Sequence, residues 1–154
     1  MNALTALWDF APDLKIRLLC LALAGQVIVT LMAYFKLSKA RMTALKAKQV
    51  EPDVFKSTRD EPEQLRVFTR AVANQFELPV IFYALVAASL ALRVSSWLTV
   101  LLAFAFVALR CVHLQEMTGE NRVFRRRRLF IRGMQVVLLM LVELLLSTML
   151  FAQG

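Results

Sequence analysis

Residues 70–92 read RAVANQFELPVIFYALVAASLAL. An arginine, an asparagine and a glutamate head a stretch in which residues 80–92 carry no charge. The charge-free run suits lipid, and it is not alone. Residues 18–35 and 94–109 carry no charge either, and from Gly133 to the C-terminus the only charge is Glu143. A bilayer core of about 30 Å takes about 20 mostly apolar residues in a helix. Four such segments consume most of the 154 residues. The apolar share, 59%, exceeds the ~45–50% of a soluble domain. The chain therefore reads as one all-α membrane domain over 1–154, with transmembrane helices near 13–48, 61–93, 97–116 and 125–151. A cleavable leader fits the first segment poorly: its apolar run is too long and meets Lys36 without a small-residue cleavage site.

The charges give an orientation. Of 19 Lys and Arg, nine fall from Lys36 to Arg70 and six from Arg122 to Arg132. The positive-inside rule puts both basic connections in the cytoplasm and both termini outside. Orientation and anionic lipid headgroups account for the net charge of +8, so no nucleic-acid partner is expected. Cys20 and Cys111 read as packing residues, and no spacing suggests a metal site. Trp8 and Trp97 lie near helix ends, as interfacial anchors do.

The second helix has its own start signal, with Asp60 as N-cap, Pro62 in the first turn, and Glu61 and Glu63 at the positive end of the dipole. On a continuous helix Arg70, Asn74 and Glu77 fall within about 60° of one another, and Glu63 and Arg66 extend that stripe. Pro79 removes one helical hydrogen bond and kinks the helix, and Gln75 lies off the stripe, facing a neighbouring helix. Arg110 and His113 share one face near the end of the third helix. The fourth begins FRRRRLFIRG, with Arg125, Arg126, Arg128 and Arg132 at a similar depth. Ionisable groups in membrane helices cost several kcal/mol unless paired or facing a wet cavity. One reading is an interhelical polar cluster in which Glu77 bridges Arg110. The other is an anion pocket, because the arginines outnumber Glu77 beyond pairing and a guanidinium fork suits carboxylates. Glu143 stands apart, an acid within the fourth helix without a cation near it in sequence.

R-x-x-x-N-x-x-E with proline two residues on (Arg70, Asn74, Glu77, Pro79), then A-L-R-C-V-H (residues 108–113), then R-x-x-x-F-x-x-G (Arg126 to Gly133) resembles the MAPEG family, the membrane-associated proteins in eicosanoid and glutathione metabolism. The wording NQFELPVIFYAL is most similar to a bacterial branch. The resemblance implies a homotrimer of four-helix subunits in the bacterial inner membrane. It also implies glutathione bound between subunits as co-substrate, near the cytoplasmic face. By position, Arg70 and Asn74 would hold glutathione's carboxylates and backbone, and Glu77 its γ-glutamyl ammonium. Arg110 and His113 would complete the binding set. Arg126 would be the catalytic residue, since a guanidinium beside sulfur favours the nucleophilic thiolate. The second substrate would be a small apolar electrophile or lipid hydroperoxide. The chain departs from the pattern at Met117, where the family has a tyrosine.

Two other functions stay open. A non-catalytic protein of the same fold would bind lipid or another anionic metabolite through the arginines. A small exporter would need an acid in its first helix, and that helix has none between Asp13 and its cytoplasmic end.

Overall fold

The computed structural model describes the backbone of residues 3–57 and 60–151, with side chains from 14 to 57 and from 60 to 150. Its regular structure is helical throughout. Helix α1 runs Ala3–Lys46, α2 Glu63–Ala73, α3 Leu78–Ala91, α4 Trp97–Thr118 and α5 Val123–Phe151. Short 3-10 helices lie at Pro52–Lys56 and Asn74–Phe76. Four spans are long and apolar enough to cross a membrane: Leu14–Lys46, Glu63–Ala91, Trp97–Thr118 and Val123–Leu150. The apolar periodicity therefore delivers the expected four-helix architecture. Trp8 lies outside the described side chains.

Apart from the amphipathic α2 and the basic start of α5, the helices are apolar nearly all round within their spans, as helices facing both lipid and neighbours must be. On α1 the buried stripe is Leu19, Ala22, Gln26, Val29, Ala33 and Leu37, while Leu21, Ile28 and Phe35 face outward. Small residues let the α1 and α4 backbones approach closely. A Cβ added at Gly25 would stand 3.2 Å from Val107 Cγ1, so glycine there is set by the neighbouring helix. Phe82 of α3 stacks on Phe106 of α4, centroids 4.5 Å apart, at the centre of a core that Val137, Met140 and Leu144 of α5 complete.

The second span differs from the expected continuous helix 61–93. It is broken into α2, a 3-10 turn and α3, with Glu77 at φ −98°, ψ −101° between them. Pro79 has no N–H, and its ring crowds the carbonyl four residues back, that of Gln75. The start also differs: Pro62 occupies the N-cap position, and Asp60 does not cap the helix. Glu61 turns inward instead, 1% exposed. It accepts from Arg41 Nε of α1 at 3.0 Å and from the Thr69 hydroxyl at 2.5 Å. A buried carboxylate finds more stabilisation in a guanidinium and a hydroxyl than in a solvated helix end.

Both remaining connections are tight. Ser96 caps α4: its hydroxyl accepts from Thr99 N–H at 3.1 Å, while Thr99 Oγ1 accepts from Ser96 N–H at 3.0 Å. Between α4 and α5, Glu116 accepts from the backbone N–H, Nε and Nη2 of Arg122 at 3.0–3.2 Å and pairs with Arg125. That carboxylate pushes the Arg122 guanidinium further above its already high pKa. Cys20 is exposed on the outer face of α1 rather than packed in the core, and Cys111 is half-buried.

Candidate functional site

A cavity of about 480 Å³ opens where the broken second span, the end of α4 and the start of α5 meet. Arg70, Asn74 and Glu77 form one wall, and His113 and Met117 of α4 form the floor. Arg126, Arg127 and Phe130 of α5 close the other side. Its volume lies within the ~300–1,000 Å³ of small-molecule sites.

The break shapes the first wall. Arg70 belongs to the last turn of α2, where its guanidinium pairs with Glu63. Asn74 begins the 3-10 turn and Glu77 ends it, so their side chains reach the cavity from a chain that has left the α-helical path. On the opposite side of this turn, Gln75 is buried. Its Oε1 accepts from Gln26 Nε2 of α1 at 3.3 Å, and its Nε2 donates to the Ala71 carbonyl. The alternation of Asn74 and Glu77 into the cavity with Gln75 into the protein follows from the local turn.

Arg110 lies elsewhere. It is 1% exposed and outside the cavity lining, and its Nη2 donates to the backbone carbonyl of Asn74 at 2.8 Å. No salt bridge joins it to Glu77 among the described residues; its contact is with the break that carries Asn74 and Glu77.

On the far wall, Arg126 Nη1 donates to Asn121 Oδ1 at 2.7 Å. Asn121 takes a left-handed φ of 52°, which asparagine tolerates better than most residues. This side chain thus anchors Arg126 from the turn. The four consecutive arginines separate by direction: Arg126 and Arg127 line the cavity, Arg125 pairs with Glu116, and Arg128 is exposed away from it. The His113 ring lies 6.3 Å from that of Phe130, and its Nδ1 is buried without a partner. Met117 is 3% exposed and packs with Val29, Ala33, Ala71 and Leu114.

The lining carries three arginines, Arg70, Arg126 and Arg127, against one carboxylate, Glu77. Its other polar groups are an amide and an imidazole, and among the described residues no hydroxyl side chain lines it. Such a set can hold carboxylates at the arginines and an ammonium at Glu77. Ala73, Val123, Arg127 and Phe130 complete the lining beyond the site residues expected from the sequence. The run of arginines offers no phase by itself, because adjacent helical residues point 100° apart and only the packing of α5 shows which two face inward.

Glu143 is not a mid-membrane acid. It sits against the α4 N-terminus, where its Oε1 accepts from the Ser96 hydroxyl at 2.6 Å and the Ser147 hydroxyl at 3.2 Å. It is thus at the opposite end of the bundle from the cavity, beside Ser96 rather than beside Thr118.

No curated protein and no solved structure matches the chain. The model of the MAPEG family matches residues 18–146, which takes in the second and third spans whole, most of the first and fourth, and every residue of the cavity wall. With that match over most of its length and four membrane-spanning helices, the chain is an integral multi-pass membrane protein that belongs to the MAPEG family.

Proposed function

We propose that this protein binds glutathione in the cavity between α2, α4 and α5 and joins its thiolate sulfur to apolar electrophiles, or reduces lipid hydroperoxides with glutathione as the electron donor. The observation that carries the reading is the convergence of Arg70, Asn74, Glu77, His113 and Arg126 on one cavity from three of the four spans. Glutathione has two carboxylates and one ammonium, and the lining offers arginines in excess and one acid. Arg70 and Asn74 bind a carboxylate and the peptide backbone, and Glu77 takes the ammonium. Arg126, oriented by Asn121, stands beside the sulfur and stabilises the thiolate. Arg110 serves the same site at one remove, by holding the Asn74 carbonyl. The functional unit is a homotrimer in the inner membrane, with the cavity near the cytoplasmic face and its open side completed by a neighbouring subunit.

Purified protein in detergent should convert an apolar electrophile with glutathione, and glutathione should raise its thermal midpoint. Absence of both effects would defeat the reading. Arg70→Ala is expected to weaken glutathione binding by about tenfold, the loss of one charge-assisted contact. Arg126→Ala should chiefly lower kcat. Equal and negligible effects of the two substitutions on affinity and rate would remove these roles.

A second reading is a binding protein without turnover, and the lining favours it in one respect. Where a hydroxyl donor to sulfur is expected, the cavity presents the thioether of Met117. Met117→Tyr separates the two. A rise in conjugation rate with unchanged glutathione affinity would mean that the natural chain binds without efficient chemistry.

A further inference from the structure

A second cavity, of about 400 Å³, lies between α1 and α2 and is unrelated to the glutathione reading. Lys36, Lys39 and Thr43 reach it from α1 at positions i, i+3 and i+7, one face of the helix. The same face carries Ala40 and Ala44, whose short side chains leave the space open. Gln49 of the following loop and Gln64 of α2 supply amides, and Leu65 and Phe68 an apolar wall.

Its depth is fixed by the sequence of α1. The charge-free run ends at Phe35, so Lys36 stands at the hydrocarbon boundary and Lys39 about one turn further out. Towards the bilayer the face continues as Met32 and Phe35, both exposed. The lysines therefore sit at headgroup level, above an apolar surface and below neutral hydrogen-bonding groups.

Charge decides what fits. Neither lysine forms a salt bridge among the described residues. Lys36, half-buried, donates to the Thr118 hydroxyl of α4 at 2.8 Å. Among the described residues no carboxylate lines the cavity, and the two acids at the entry to α2 are engaged elsewhere, Glu61 by Arg41 and Glu63 by Arg66 and Arg70. A half-buried ammonium without a counter-charge, at the level where lipid phosphates lie, calls for an anion. A headgroup bearing its own ammonium would meet two cations and no acid here. One bearing hydroxyls would meet Thr43, Gln49 and Gln64.

We propose that this cavity is a binding site for a phospholipid with an anionic, hydroxyl-bearing headgroup, its phosphate held by Lys36 and Lys39 and its acyl chains lying along Met32 and Phe35. The site takes a lipid from the leaflet that faces the basic connections.

The test uses native mass spectrometry and thermal unfolding of the purified protein with added phosphatidylglycerol, phosphatidylethanolamine or inorganic phosphate. Phosphatidylglycerol should bind at least about tenfold more tightly than phosphatidylethanolamine and raise the thermal midpoint, as two lysines at a membrane surface predict. Lys39→Gln, an exposed position, should erase most of that preference, and Lys36→Gln with Lys39→Gln all of it. The charge-matched pair Lys46→Gln with Lys56→Gln, outside the cavity, should keep it. Equal binding of the two lipids, or full retention of the preference in Lys39→Gln, overturns the proposal. So does an equal effect of inorganic phosphate, which would make this a site for a soluble anion. Cross-linking of Lys39→Cys between copies in the lipid-free protein would show a second chain in the lipid's place and overturn it as well.

Discussion

Arg110 shows how a single side chain can matter to a site it does not line. Its guanidinium is buried in a membrane helix, with Nε and Nη1 unpartnered and Nη2 on the Asn74 carbonyl. Burying such a cation costs several kcal/mol, and that cost is retained where it holds the broken backbone in place. Arg110→Met should therefore weaken glutathione binding although no cavity-lining atom is removed. Titration calorimetry in detergent checks this: unchanged affinity, alongside a clear loss in Asn74→Ala, would show that the carbonyl contact does not position the wall. Glu116 is the corresponding case at the other wall. It collects Arg122 and Arg125 at the turn that leads into Arg126. Glu116→Gln exchanges a charged acceptor for a neutral one and should lower stability, read as a fall in the thermal midpoint. Charge and spacing marked these residues as unusual in the sequence. Whether each touches a ligand, a carbonyl or another side chain depends on rotamers and neighbours that no spacing specifies.

Among the elements, the broken second span matters most. Periodicity treats residues 61–93 as one cylinder, and on that cylinder Arg70, Asn74 and Glu77 already share a stripe. The break preserves their common direction while turning Gln75 towards Gln26, so part of the cavity wall and the helix contact come from one 3-10 turn. Pro79 is the cause, through its missing N–H and its clash with the Gln75 carbonyl. Pro79→Ala should let the helix run through. Stability should hold or rise as a hydrogen bond is regained, while glutathione affinity falls by about tenfold, the cost of misplacing one charge-assisted contact. A variant that binds as well as the natural chain would show that the wall does not need the break. The proline was legible as a kink. The depth of the change, with a 3-10 turn and Glu77 outside helical geometry, was not, because it reflects Arg110 and Gln26 reaching in from other helices.

At the scale of the molecule, the two ends of the bundle are chemically unlike. One end holds the basic connections, the candidate cavity and Lys36 and Lys39 of α1. The other holds the short Ser95–Ser96 turn, where Glu143 joins α5 to the start of α4 and Lys15 lies 5.8 Å from the Trp97 ring centroid. If the basic end is cytoplasmic, cysteines placed at Ser57 and Ser95 should label from opposite sides of the membrane, Ser57→Cys only from inside. Labelling of both from one side would refute the orientation. The sequence by itself determined the fold class, because four mostly apolar stretches long enough to cross a bilayer leave a chain in lipid no other way to satisfy its backbone. It also determined which residue types are available for an anion. Tertiary structure alone decided that Arg126 and Arg127, not Arg125 or Arg128, face the cavity, that Arg110 stands behind it, and that Glu143 belongs to a helix cap. Those outcomes depend on the rotation of each helix about its own axis, which the packing of neighbouring helices sets and a nearly uniform apolar surface does not encode.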